Sequence, residues 1–225
     1  MDDLLTDQQQ AEQVRGWLRQ NGTFLVAGVA LGLAGLFGLN QWNRFQEQKA
    51  VEASVFYETF MASVRSGNLP EVEAGMATLE SDFGTSPYAA QGRLALAKLY
   101  LDQGKPEEAA AQLREVVDSG VATELRNIAR LRLARVLIYQ DKNDEALKVL
   151  AVPDTEAFAP AFHDVRGDVY FAMGKQAEAR SEYEQALNTP EASGLIDRTY
   201  IEAKLDDLGG GTAAVPAAAA PTPAP

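Results

Sequence analysis

Residues 20–43 carry no charged side chain, and Phe24 to Leu39 hold no charge, amide or hydroxyl. Nothing else in the chain restricts its fold as strongly. A helix rises about 1.5 Å per residue, so about 20 residues cross a hydrocarbon layer about 30 Å thick. In lipid a backbone must satisfy its own hydrogen bonds, so residues 23–42 read as a single transmembrane helix despite five glycines from Gly22 to Gly38. Gly22, Thr23 and Asn40 to Trp42 fall at the interface, where an indole with an apolar ring and an N–H donor is at home. A buried core helix and a cleaved signal peptide are the competing readings. A signal peptide has a short basic start and a small-x-small site after its apolar core. Here the core follows a long segment with Asp2, Asp3, Asp7 and Glu12, and Asn-Gln-Trp-Asn comes after it, so an uncleaved anchor fits better.

Inside the span Gly28, Gly32 and Gly35 fall at i, i+4, i+7 on one face, a stripe that lets a second membrane helix approach closely. The alternative is the ordinary glycine enrichment of spans. Residues 1–22 are polar, with an amphipathic helical pattern from Gln8 to Arg19 that places Val14, Trp17 and Leu18 on one side. Orientation is weakly encoded: Arg15 and Arg19 flank one end, Arg44 and Lys49 the other.

After Trp42 a helical pattern runs to about Arg65 with no breaker from Asn40 onward, so the helix is expected to continue out of the membrane. Gly67 and Pro70 punctuate its end. A second helix is expected from about Pro70 to Asp82, making 50–83 a degenerate first helix pair. The chain then repeats. Arg93–Leu113 and Arg130–Leu150 align without a gap, and Val165–Leu187 is a third copy. Ala97, Ala134 and Gly167 come into register, and so do Ala109, Ala146 and Ala179. A period of this size means stacked supersecondary units. The copies resemble the tetratricopeptide repeat. The third is fullest: Gly167, Tyr170, Gly174, Ala179, Tyr183, Ala186, then Pro190. The first departs at Val116; in the second Asp141 replaces the turn glycine and Pro153 ends the unit. The resemblance implies an all-α protein, one transmembrane helix followed by a tetratricopeptide-like α-solenoid over 43–208. A closing helix is expected from Gly194 to Leu208. The Ala/Pro-rich stretch 209–225 cannot build a core and is expected to be disordered.

Composition narrows the function. With 32 acidic and 20 basic residues the chain has a net charge of −12, which argues against nucleic acid. Cysteine is absent, so there is no thiolate chemistry and no disulfide. The lone histidine, His163, has no second histidine or cysteine to share a metal and no serine beside it, so a structural role is expected. Glu107-Glu108, Asp144-Glu145 and Asp206-Asp207 read as solvated acids near helix ends. No catalytic, cofactor or metal set emerges, and binding remains.

In tetratricopeptide arrays the first helix of each pair lines a concave groove. By register this implies Gln91, Leu94, Lys98, Leu101 and Asp102 in the first copy, then Ile128, Leu131, Arg135, Ile138 and Tyr139 in the second, and Asp164, Asp168 and Phe171 in the third. Lys98 and Arg135 are expected to stand alone among acids, so the surface suits a protein partner with apolar segments. The competing reading is that these side chains cover the next repeat.

Taken in order, the Asn-Gly before the span, the glycine-rich span ending in Asn-Gln-Trp-Asn, Leu-Ala-Arg-Val in the middle copy and Arg166-Gly167 resemble the YfgM-type ancillary subunits of the SecYEG translocon over residues 1–208. The resemblance implies a bacterial inner-membrane protein with a cytoplasmic N-terminus and a periplasmic repeat domain. It further implies association with SecYEG and with a PpiD-like membrane-anchored chaperone, exported proteins as clients, and no enzymatic activity.

Overall fold

The computed structural model describes residues 7–151, 157–188 and 194–210, where all regular structure is helical. The chain divides into two compact units, 1–55 and 56–225.

The described residues of the first unit lie within α1, an unbroken helix Asp7–Ser66. The polar start, the apolar stretch and the segment beyond it are therefore one helix, as the lack of breakers predicts. The apolar window is entirely unburied, and Phe24, Leu31 and Phe37 are each more than 70 % exposed. That excludes the core helix of a soluble protein, whose apolar side chains would be covered. Trp17 and Trp42 are exposed at either end of the window.

The second unit begins with the last turns of α1. There the Phe56 ring lies tilted against Phe83 with centroids 5.9 Å apart, and Tyr57 against Tyr88 at 5.2 Å. Gly67, at φ +73°, ends the helix, and α2 runs Leu69–Phe83 with Pro70 in its first turn. Proline is tolerated there because that N–H has no helical partner anyway. The three copies become pairs: α3 Pro87–Asp102 with α4 Pro106–Asp118, α5 Thr123–Tyr139 with α6 Asn143–Leu150, and α7 Ala159–Ala172 with α8 Gln176–Asn188. The small residues aligned in the sequence, Ala97, Ala109, Ala134, Ala146 and Ala179, are all at or near zero exposure, where helix crosses helix.

One turn geometry serves all three pairs. The amides of Lys105, Lys142 and Lys175 donate to the carbonyls of Tyr100, Leu137 and Tyr170 at 2.8–2.9 Å. These are the six-to-one bonds of a Schellman turn, which needs a left-handed residue just before the donor. Gly104 at φ +71° and Gly174 at φ +72° supply it, and in the second pair Asp141 does so at φ +58°.

The closing helix is shorter than expected. α9 runs Arg198–Leu205, not from Gly194, because Asp197 caps it by accepting a hydrogen bond from the Tyr200 amide at 3.2 Å. A kinked turn, Asp206–Gly210, follows, with Gly209 left-handed at φ +74°. Ile201 and Leu208 are buried as a closing element requires, while Leu195 and Tyr200 are exposed. Pro153, Pro190 and the Ala/Pro stretch beyond 210 lie outside the described residues.

Candidate functional site

A groove of about 660 Å³ lies between α3 and α5, the first helices of the first two repeat pairs. Leu94, Ala97, Leu113 and Val136 form its buried apolar surfaces. Leu101 and Tyr139, 40 % and 78 % exposed, stand open to solvent beside it. Gly104 and Pro106 of the turn complete one end. Helical spacing explains the convergence: Leu94, Lys98 and Leu101 lie at i, i+4, i+7, and Arg132, Arg135 and Tyr139 at i, i+3, i+7.

Five of the residues assigned to the groove from the sequence therefore line it: Leu94, Lys98, Leu101, Arg135 and Tyr139. Ile138 does not; it is half-buried against the hydrophobic core. Nor do Asp164, Asp168 and Phe171. The groove also differs in charge from the expected surface. Lys98 and Arg135 are joined by Arg132, and no acidic side chain lines the groove with them. Arg132 was legible in principle, since it sits three residues before Arg135 and seven before Tyr139 on one helical face.

Asp164 and Asp168 are drawn elsewhere. One turn apart on α7, they converge on Lys204 of α9, whose Nζ donates to Asp164 Oδ1 at 2.7 Å and Asp168 Oδ1 at 2.5 Å. The Tyr183 hydroxyl also donates to Asp168 Oδ1 at 2.9 Å, and Arg135 donates to Asp164 Oδ2 at 3.3 Å. Lys204 also lies 4.7 Å from the Tyr200 ring centroid and 5.3 Å from that of Tyr183. Burial works to lower the Lys204 pKa, but its hydrogen bonds to the two carboxylates outweigh it and hold the ammonium above its ordinary range. Burial and the charge of Asp164 push the Asp168 carboxyl up, against the pull of Lys204 and Tyr183. The cluster is thus a seam fastening α9 to the third pair. Phe171, 52 % exposed, lines a small cleft beside it with Tyr200 and Asp207.

His163 has a structural setting. Its Nδ1 lies 2.7 Å from Glu182 Oε2, and the Arg166 Nε donates to the same oxygen at 3.1 Å, tying α7 to α8. Among the described residues no cluster of three histidine, cysteine or acidic side chains could hold a metal ion. In the span, a Cβ built on Gly28, Gly32 or Gly35 meets no atom within 4 Å, so the stripe is open along its length.

Comparison with known proteins covers nearly the whole chain. A family profile described as a tetratricopeptide repeat-like domain matches residues 15–210. The ancillary SecYEG translocon subunit of Escherichia coli (strain K12) is 30 % identical over 199 residues, 88 % of this chain and 95 % of that protein. Its namesake in Neisseria gonorrhoeae is 30 % identical over 206 residues, covering 91 % and 98 %. That of Haemophilus influenzae is 24 % identical over 204 residues, covering 91 % and 98 %. No solved structure matches.

Proposed function

Because this chain belongs to the family of ancillary SecYEG translocon subunits and carries a tetratricopeptide repeat-like domain, we propose that it is a non-enzymatic accessory of the protein-export channel in a bacterial inner membrane. The observation that carries this reading is the extent of the match: 95 % of the E. coli relative is covered, anchor and array together. A chain that shared only the repeat would not match through its membrane helix.

In this reading α1 crosses the inner membrane once, with the N-terminus in the cytoplasm and the array in the periplasm. The array takes partners by surface complementarity at the α3–α5 groove, through Lys98, Leu101, Arg135 and Tyr139. Its partners are the SecYEG channel, a PpiD-like membrane-anchored chaperone and emerging exported proteins. Support for a binding role comes from the exposed apolar side chains beside that groove, which a protein with no partner there would gain nothing by keeping in water.

Affinity purification of the full chain in mild detergent tests the assignment. SecY and a PpiD-like chaperone are expected in the eluate, and recovery of neither overturns it. Alkaline phosphatase fused after Leu208 tests the orientation: an active fusion is expected, and an inactive one with an active cytoplasmic reporter at the same site reverses the topology.

A further inference from the structure

The clefts of the array differ in the charge of their walls. The one around Arg93 is walled by Glu80, Glu115 and Asp118. The one around Lys204 is walled by Asp168 and Asp207. The α3–α5 groove has Lys98, Arg132 and Arg135 and no carboxylate, in a chain where acids outnumber bases 32 to 20. A groove that reverses the sign of its own chain attracts a partner of the opposite sign.

Of the three groove cations two have a carboxylate outside the groove, with the cation itself exposed in both pairs, and Arg132 has none among the described residues. Lys98 meets Asp102 at 2.6 Å, but Asp102 lies outside the groove and the pair is well exposed, where such bridges are weak. Arg135, half-exposed, meets Asp164 at 3.3 Å, a longer contact than those Lys204 makes with Asp164 and Asp168. Arg132 is exposed and makes no ion pair among the described residues. The cations also stand on both sides of the apolar floor, Lys98 on α3 and the two arginines on α5.

Resting on the reading of this groove as a partner site, we infer that its occupant is an internal protein segment with an apolar anchor flanked on both sides by carboxylates. The anchor displaces water from Leu94, Leu101, Val136 and Tyr139. The flanking Asp or Glu side chains meet Lys98 on one side and Arg132 and Arg135 on the other. Arginine suits the task, because its planar fork meets a carboxylate with two parallel donors.

The test uses the full chain in a neutral detergent and a rhodamine-labelled peptide of about 14 residues, acetylated and amidated so that only side chains carry charge. It has a central Leu-Phe anchor with two glutamates on each side. Fluorescence anisotropy should show saturable binding that weakens as salt rises from about 50 to about 300 mM. Arg132→Glu should weaken it roughly tenfold and Arg132→Gln less, with helical content unchanged in both. Peptides with Glu→Lys or with both anchors changed to Ser should not bind. Equal binding of the Glu→Lys peptide, or unchanged binding to Arg132→Glu, overturns the inference. If SecY is recovered with the wild-type chain while the glutamate peptide fails to bind, the inference falls and the translocon reading stands. If the peptide binds as expected while neither SecY nor the chaperone is recovered, the reading falls and the groove chemistry stands.

Discussion

At the residue scale, the small position of each first helix is matched to the side chain facing it across the pair. A Cβ on Gly167 would run into the ring of Tyr183. Tyr183 is itself 1 % exposed and held by its hydroxyl to Asp168, so the ring has nowhere to go. At the same register the first two pairs place Ala97 with Leu113 and Ala134 with Leu150, a larger residue on one side and a smaller one on the other. Gly167→Ala should therefore destabilise the array by about 1–3 kcal/mol through overpacking. Adding Tyr183→Leu to that variant should recover part of the loss, which a double-mutant cycle by urea unfolding would detect. The turns give a second prediction. Asp141 occupies the left-handed position that glycine fills at 104 and 174. Asp141→Gly should stabilise the second pair by a few tenths to about 1 kcal/mol, since only glycine adopts that backbone without strain. A lower thermal midpoint for this variant would contradict it.

At the element scale, α9 is held by charge as much as by packing. Lys204 is 15 % exposed and, among the described residues, is the cation that meets Asp168, so Lys204→Met strands that carboxylate and leaves Asp164 with the longer pairing to Arg135 alone. Removing one partner of a buried pair costs about 3–5 kcal/mol, and the part-exposed rim of this one sets the expected loss at the lower end. Amide exchange across 198–208 should accelerate in this variant while α3 and α4 stay protected. The same seam gives a pH dependence. Lys204 titrates above its ordinary 10.5, and burial together with Asp168 holds the Tyr183 phenol well above its ordinary 10.0. Tyr100 is pushed up to about 12 by burial and its hydrogen bond to Glu73. Each group keeps its proton in the folded state at a pH where the unfolded chain has lost it. Their stabilisation is thus complete below about pH 10 and declines as pH rises through the folded values. The urea midpoint should fall between pH 8 and pH 11, and less steeply for Lys204→Met.

The helices and turns were legible in the sequence because each depends on neighbours within a turn or two: periodic apolar positions, Pro at a helix start, Gly at its end. What escaped was fixed by distant contacts. Asp164 and Asp168 fit the groove register, but a lysine 36 and 40 residues further on claims them. Arg132 escaped because the register put Leu131 on the groove face, and the structure buries that leucine instead. The start of α9 escaped because its cap, Asp197, lies within a segment that reads as helical by its apolar pattern alone.

At the scale of the whole molecule, the apolar window of α1 is exposed around its circumference while the array buries most of its apolar side chains. Water is a poor solvent for the first surface and a good one for the second. The chain should stay with the membrane pellet after washing with alkaline carbonate and be released by detergent; recovery in the carbonate supernatant would contradict a spanning helix. Truncation before Phe56 should convert the array to a water-soluble fragment.

The indoles and the phenols are sorted between the two units. Both indoles, Trp17 and Trp42, lie on α1, and all seven phenols lie from residue 57 onward. Excited at the red edge, the intact chain glows only from its lipid-seeking end, so its emission maximum gauges the surroundings of the anchor and is deaf to melting of the repeats. Replacing Tyr139, already 78 % exposed, with tryptophan would place a lamp at the mouth of the groove.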